Sequence, residues 1–308
     1  MRTATKNKNK FVLTLMFTII IILTLVVVVL VAALMKRPTE EVDPHEGQVY
    51  INDGFGMVWM TPLEGVDVNN ISQSDIVRYD GVPKYVGEGY ETLRGVDVSE
   101  HQYDIDWAAV AASGVDFAYI RLGYRGYTQG GLFEDAYFKA NIEGAKSNGI
   151  KVGVYFFSQA INVQEAIEEA DFVLERIEQY DIDLPVMYDW EKMEEAGADA
   201  RTYQLDTAIL DECAVAFCET VKKAGYEPGV YFNRYIGYYG FDLSRLNSYK
   251  FWLAVPGDFP DFYYAFDIWQ YSFEETIPGI ETPTDMNLMF IPKVQTSPSP
   301  SAEATPAA

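Results

Sequence analysis

Apolar, strand-like runs alternate with helix-like patterns through residues 95–291, and this alternation constrains the fold more than any other feature of the sequence. The strand candidates are residues 95–98, 116–122, 151–158, 185–190, 229–232, 251–255, 266–271 and 287–291. The helix candidates are residues 107–113, 136–147, 163–180 and 205–224. Eight strands with intervening helices predict an α/β fold, an irregular TIM-like (β/α)-barrel whose last third departs from the regular repeat.

Local signals agree with these helix boundaries. Asn162 and Glu165 have the spacing of an N-cap with a capping box, and Gly149 and Gly225 follow two of the helices, as terminating glycines do. An open doubly wound sheet is the alternative architecture. No Gly-x-Gly-x-x-Gly loop follows the first strand, which disfavours that alternative.

The N-terminal region contains a candidate membrane span. Residues 11–35 are 25 residues without a charge, and a helix of that length reaches across a hydrocarbon core of about 30 Å. Four basic residues precede the span, so the positive-inside rule predicts a cytoplasmic N-terminus (1–10) and an extracellular remainder. A cleaved signal peptide ending near Ala33 is the alternative, although its apolar region would be shorter.

The rest of the chain divides into three predicted parts. Residues 36–93 begin polar and then contain strand-like pieces and turn signals, which predicts a stalk followed by a small β-rich extension. Residues 94–292 form the predicted catalytic domain. Residues 293–308 are rich in Ser, Pro, Thr and Ala and predict a disordered tail.

Composition excludes several classes of function. The net charge of −23 would repel nucleic acid phosphates, so no nucleic acid partner is expected. The chain has only two histidines, which leaves little for a histidine-based metal site, and we expect neither a metal nor another cofactor. The two cysteines, Cys213 and Cys218, lie on different faces of a predicted helix and are expected to be buried and unpaired.

One heptapeptide carries the strongest chemical signal. Residues 185–191 read Pro-Val-Met-Tyr-Asp-Trp-Glu, an apolar strand that ends in two acids. Because side chains alternate along a strand, Asp189 and Glu191 point the same way, roughly 6–7 Å apart. Each acid raises the pKa of the other, which produces the protonated carboxyl group that cleavage of a glycosidic bond requires. A surface pair making caps and ion pairs is the alternative.

Other strand ends of the predicted barrel carry acids, amides and aromatics, the composition of a carbohydrate cleft. Beside the 189–191 pair, the candidates are Asp97, Tyr124, Tyr155, Tyr231, Trp269, Gln270 and Asp285. We take Glu191, Asp189, Asp97 and Asp285 as candidate catalytic residues. The aromatic residues and Gln270 are candidate substrate-binding residues.

This set of motifs resembles the Chalaropsis-type lysozymes, glycoside hydrolase family 25. The specific stretches are Arg94-Gly-Val-Asp-Val-Ser99, Phe117-Ala-Tyr-Ile-Arg-Leu-Gly-Tyr124, Val152-Gly-Val-Tyr-Phe-Phe157, Asp189-Trp-Glu191 and Trp269-Gln-Tyr-Ser272 with Asp285-Met-Asn287. The resemblance implies an irregular β/α barrel that hydrolyses the β-1,4 bond between N-acetylmuramic acid and N-acetylglucosamine in peptidoglycan. It also implies that Glu191 is the proton donor and that Asp97, Asp189 and Asp285 complete an acidic cluster, with Asp189 or Asp285 in the second role.

Two other functions stay open at this stage. Family 18 chitinases also end a strand in Asp-x-Glu, but Met187 and Leu184 occupy two places where their signature has acids. A wall-binding module that has lost hydrolysis is the other alternative. An uncleaved anchor favours a single-pass membrane protein that trims its own cell wall over a soluble lysin.

Overall fold

The computed structural model describes residues 2–35, 43–193 and 196–293. Residues 1–48 form one unit, and its helix α1 (Arg2–Met35) contains a segment, Lys10–Met35, long and apolar enough to cross a membrane. A signal sequence would have the same properties. The start of the predicted stalk (36–42) and the predicted tail beyond residue 293 lie outside the described residues.

Residues 49–308 form the second unit, which holds every strand of the described residues. Its helices are α2 (Trp107–Ala112), α3 (Phe138–Ser147), α4 (Val163–Ile177), α5 (Thr207–Lys223) and α6 (Leu243–Leu246). Its strands are β1 (Val49–Asn52), β2 (Met57–Met60), β3 (Ile76–Tyr79), β4 (Val82–Tyr85), β5 (Tyr90–Val98), β6 (Phe117–Arg125), β7 (Leu132–Glu134), β8 (Lys151–Ser158), β9 (Val186–Trp190), β10 (Pro228–Asn233), β11 (Lys250–Ala254), β12 (Ile268–Glu275) and β13 (Thr284–Pro292).

Eight of these strands close into a barrel in the order β5, β6, β8, β9, β10, β11, β12 and β13. Neighbours from β5 to β12 are parallel, whereas β13 runs antiparallel to both β12 and β5. Because β13 runs the opposite way, it begins at the rim where the other strands end. The short strand β7 adds an antiparallel pairing at the end of β6.

The predicted irregular barrel is confirmed, but the TIM-like comparison needs correction. Helices α2 to α5 make the crossovers between successive strands from β5 to β10. The β10–β11 connection has only the four-residue α6 and a π-helical turn at Ile236–Gly240, and no helix separates β11 from β12 among the described residues. A complete outer ring of eight helices is therefore not formed.

The barrel strands are buried on both faces, which separates the core into two layers. Side chains such as Tyr119, Met187 and Trp252 fill the barrel interior. A larger layer lies between the sheet and the helices. Asn162 accepts a hydrogen bond from the backbone N–H of Glu165 (3.0 Å) and so caps α4 as its sequence predicts.

The β-rich segment before the barrel consists of two hairpins, β1–β2 and β3–β4. Strand β5 begins at Tyr90, so it crosses the boundary that the sequence places at residue 94. The segment also packs against the β11–β12 connection, where the backbone N–H of Leu63 donates to the hydroxyl of Tyr264 (2.9 Å) and Val68 forms a β-bridge with that residue. The hairpins are therefore part of the same compact unit as the barrel.

Candidate active site

Strand β9 delivers two acids to one cavity. Its side chains alternate, so that Met187 points into the barrel interior while Tyr188 and Trp190 pack outward toward the helices. Asp189 follows the interior face, and Glu191 continues it just past the strand end. Both line a cavity of about 200 Å³ at the carboxyl ends of the parallel strands.

The antiparallel strand β13 brings a third and a fourth acid together. Asp285 at its start lies directly opposite Asp97 of β5 in the sheet register, and both line the same cavity. All four acids that the sequence singles out therefore surround one space. These acids come from three strands that are far apart in the sequence, so a search for local motifs could not have shown that they lie together.

Two amide groups hold Asp97. Asn287 Nδ2 donates to Asp97 Oδ2 at 2.7 Å, and Gln270 Nε2 donates to the same oxygen at 2.9 Å. The orientation of Asn287 is fixed, because the indole N–H of Trp252 can only donate and it contacts Asn287 Oδ1 at 2.8 Å. Tyr231 similarly donates its hydroxyl to Gln270 Oε1 at 2.8 Å. Both amides thus present their N–H groups to the carboxylate.

Burial raises the proton affinity of the four acids to different extents. Burial raises the pKa of Asp97 to about 6, because the hydrogen bonds from Asn287 and Gln270 offset part of the effect. Burial and the charge of Asp97 raise the pKa of Glu191 to about 7 and that of Asp285 to about 8. Burial, with the charges of Glu191 and Asp97, raises the pKa of Asp189 well above its usual range. Asp97 is therefore the acid most easily kept ionised.

Arg121 is the cation beside this acidic cluster. It lines the cavity, and its charge lowers the pKa of Asp189 against the effect of burial. Its guanidinium is held from behind by Asp135 (Nε to Oδ2, 2.8 Å) and Glu100 (Nη2 to Oε1, 3.0 Å). Because these carboxylates already neutralise it, Arg121 can line an acidic cavity without being drawn into it.

Three of the five predicted binding residues line the cavity: Tyr155, Tyr231 and Gln270. Tyr124 lies outside the lining, under Arg121, whose guanidinium carbon is 5.3 Å from the ring centre. Trp269 also lies elsewhere. It is fully buried on the outer face of β12, where its indole N–H donates to the carbonyl of Val255 at 2.7 Å.

The tryptophan that does line the cavity is Trp252 on β11, which was not among the sequence candidates. It pairs in register with Tyr231, and their rings meet edge to face with centres 4.9 Å apart. The signal that could have found it is alternation along residues 251–255, where Phe251 and Leu253 belong to the outer core layer. Trp252 must then point inward.

The backbone at Glu191 is fixed by a buried amide. Gln159 Nε2 donates to the carbonyl of Glu191 at 3.0 Å, and Thr202 Oγ1 donates to Gln159 Oε1 at 2.6 Å. Among the described residues, no group of three or more His, Cys, Asp or Glu side chains could hold a metal ion. The four carboxyl groups around the cavity suit proton transfer to and from a bound ligand.

Comparisons with known proteins agree with this geometry. Residues 96–280 match the family described as Glycosyl hydrolases family 25. The chain is 28% identical over 210 residues to Lysozyme M1 of Streptomyces globisporus, covering 63% of this chain and 67% of that protein. Over 197 residues it is 25% identical to the autolytic lysozyme of Clostridium acetobutylicum, covering 63% of this chain and 55% of that protein.

Among solved structures, the modular autolysin LytC of Streptococcus pneumoniae is similar at 26% identity and a TM-score of 0.56. The alignment covers 79% of this chain but only 56% of LytC, so this chain spans about half of that protein. LytC has also been solved with a synthetic peptidoglycan ligand. The bacterial lysozyme of Streptomyces coelicolor shares the fold at 24% identity and a TM-score of 0.52, covering 63% of this chain and 90% of that one.

The family match covers well over half of the chain and includes three of the four clustered acids, Asp97, Asp189 and Glu191. The fourth, Asp285, lies just beyond the match on the strand that closes the barrel. The chain belongs to glycosyl hydrolase family 25 and is a glycoside hydrolase of the lysozyme (muramidase) class.

Proposed function

We propose that this muramidase cleaves the β-1,4 bond between N-acetylmuramic acid and N-acetylglucosamine, with Glu191 as the general acid. The observation that carries the proposal is the unequal proton affinity of acids in one cavity. Between about pH 6 and pH 7, Glu191, with a pKa of about 7, is mostly protonated, whereas Asp97 in the same cavity, with a pKa of about 6, is mostly ionised. Glycosidases use two carboxyl groups of different pKa in this way, one protonated and one ionised.

In this proposal Glu191 gives its proton to the glycosidic oxygen as the bond to the sugar breaks. Positive charge then develops on the sugar ring, and the negative charge of the cluster stabilises it. A water molecule then adds to the ring carbon and gives a proton back to a carboxylate of the cluster, which completes the hydrolysis. Asp97 keeps that charge because two amide N–H groups bind it. Gln270 also donates to Asp285 (3.3 Å), which couples that acid to the same network.

Asp189 is our candidate for the second catalytic carboxyl group, which assists the general acid Glu191. It is 4% exposed, and its Oδ1 has no hydrogen-bond partner among the described residues. A buried carboxyl oxygen without a partner is costly unless a ligand completes it. A bound sugar can supply the missing hydrogen bond, and the developing positive charge favours the ionised form of Asp189 in the transition state.

Purified peptidoglycan incubated with the full-length, detergent-solubilised chain tests the proposal. New reducing ends identified by mass spectrometry should be N-acetylmuramic acid. Glu191→Gln keeps the shape and removes the proton, so hydrolysis should fall on the order of a hundredfold or more. N-acetylglucosamine reducing ends would refute the bond assignment, and binding without any new ends would indicate a wall-binding module.

We also propose where the enzyme acts. A domain that hydrolyses cell wall works outside the membrane, and the basic residues before the apolar helix favour a cytoplasmic N-terminus. The helix would then tether the barrel beside its own wall. The length of the apolar segment supports an anchor over a cleaved signal.

A further inference from the structure

A second groove, of about 320 Å³, opens at the rim of the barrel between the tip of the β1–β2 hairpin and the ends of β10 and β11. The hairpin contributes residues 53–55, and the barrel contributes residues 233–235 and 254–256. We call this the hairpin groove. The hairpin precedes the part of the chain that matches the family, residues 96–280, so the groove is built partly from an addition to the family domain.

The strand register places the hairpin groove beside the catalytic cavity. Tyr231 and Trp252 line the cavity and are paired in the sheet, and Asn233 and Ala254 line the groove and are also paired. Each member of the second pair is two residues beyond the first on the same strand. Side chains two apart share a face and are separated by roughly 6–7 Å. A linear ligand that extended from the cavity along β10 and β11 would therefore reach the groove.

The hairpin tip is held rigidly over the rim. Asp53 is 8% exposed, and its Oδ1 accepts hydrogen bonds from the backbone N–H groups of Phe55 (2.8 Å) and Gly56 (3.0 Å). Its Oδ2 accepts the hydroxyl hydrogen of Tyr239 (3.1 Å), which ties the tip to the barrel. Asn52 makes a further link through Nδ2 to Asp261 Oδ2 (3.1 Å). Such bonds fix the position of the tip before any ligand binds.

This fixed tip presents aromatic rings to solvent. Phe55 is 85% exposed, yet its ring stands edge-on to Tyr235, itself 47% exposed, with ring centres 5.5 Å apart. Tyr235 is supported in turn by the ring of Tyr239 at 5.0 Å. Exposed aromatic side chains that are held in place are costly for a soluble surface and typical of a binding site.

We propose that the hairpin groove is an additional glycan subsite, which binds saccharide units of the peptidoglycan strand beyond the two that flank the cleaved bond. Sugars present apolar faces with polar edges, and the groove offers exposed rings beside the exposed amide of Asn233 and the guanidinium of Arg234. The inference rests on the proposed function, since the ligand is the continuation of that substrate. Its effect is a preference for long strands over short ones.

The test compares peptide-free glycan strands of increasing length on the full-length, detergent-solubilised chain. For the wild type, kcat/KM should rise with the number of disaccharide repeats. Phe55→Ala and Tyr235→Ala should each raise KM for the longest strand by about fivefold to tenfold, with kcat unchanged. For the shortest cleavable substrate, the kcat/KM of both variants should stay within about twofold of the wild type. The increase of kcat/KM with strand length should therefore be smaller in the variants.

Tyr79→Ala is the matched control, because Tyr79 is 58% exposed on the other hairpin and does not line the groove. The variant Phe55→Tyr retains an aromatic ring and should keep the wild-type preference for long glycan strands. If both alanine variants keep the wild-type dependence on strand length, the subsite is refuted. A binding measurement distinguishes failure of the subsite from failure of the proposed function. The affinity for long glycan strands is measured with Phe55→Ala and Tyr235→Ala in a Glu191→Gln background, where binding does not require hydrolysis.

Discussion

Replacing Asn287 should shift the pH dependence of the enzyme in a direction set by one hydrogen bond. Asn287→Leu keeps the branching and the number of heavy atoms of a fully buried side chain, and it removes the N–H that binds Asp97 at 2.7 Å. The donor favours the ionised carboxylate, so its loss raises the pKa of Asp97. The wild type should have a bell-shaped profile between the values near 6 for Asp97 and near 7 for Glu191.

The magnitude follows from the strength of hydrogen bonds to charged groups, about 1.5–3 kcal/mol, or roughly one to two pKa units. A rise of about 1.5 units in the pKa of Asp97 moves the acidic limb of the profile toward neutral pH. The alkaline limb, set by Glu191, should stay in place or move to lower pH, because the charge of ionised Asp97 is part of what raises the pKa of Glu191. With the pKa of Glu191 at about 7, the fraction of enzyme with Asp97 ionised and Glu191 protonated then falls about four- to fivefold at the optimum and about thirtyfold at pH 5. Activity lost in this way is greatest in acid.

The assay is the initial rate of peptidoglycan solubilisation between pH 4 and pH 9, with thermal unfolding measured on the same samples. Asn141→Leu is the control, because Asn141 is also buried (2% exposed) but lies on α3 outside the site. It should change stability without moving either limb. An acidic limb for Asn287→Leu that stays in place, or moves to lower pH, would refute the assignment of Asp97 as the ionised carboxylate.

Three further predictions concern the cluster, the core and the anchor. The variants Asp189→Asn and Asp285→Asn should each lower kcat by at least tenfold, while binding of the glycan substrate stays largely intact. The control is Asp67→Asn, which changes an exposed acid outside the cavity and should keep kcat within about twofold of the wild type in the same kinetic assay. Arg125→Met leaves the buried Glu169, its partner at 2.7 Å, without a counter-charge, and should cost about 3–5 kcal/mol and lower Tm by about 10 °C in calorimetry; an unchanged Tm would contradict this. Protease added to wall-stripped cells should degrade the barrel and leave a membrane stub, and release of the mature protein into the medium would show that the apolar helix is a cleaved signal.

The strand and helix pattern predicts the barrel well, because each element carries its own signals. Strand β8 has the bounds that the sequence predicts, Lys151–Ser158, and α4 begins where its Asn162 cap places it. The pair of acids on β9 shares a face, as alternation requires. These features depend only on neighbours along the chain.

The errors arise where two buried faces look alike in sequence. In a barrel strand both faces are apolar, so alternation gives the relative side of two residues but not which side is the interior. The sequence therefore predicts Trp269 as a binding residue, whereas in the structure its neighbour Gln270 and the unpredicted Trp252 line the cavity. The packing of the β1–β2 hairpin at the rim is a tertiary contact that carries no local signal.

Closure of the barrel by β13 completes the acidic cluster, so the cluster can assemble only after the end of the domain has been synthesised. Asp285 and Asn287 lie on this final strand and contact Asp97 of the first barrel strand. Asn287 and Asp97 are 190 residues apart in the sequence. A chain that has emerged only as far as β12 has an open sheet edge, an incomplete acidic cluster and no amide from Asn287 on Asp97. On the proposed roles of Asp97 and Asp285, we therefore expect fragments of the chain that end before residue 284 to lack wall-cleaving activity.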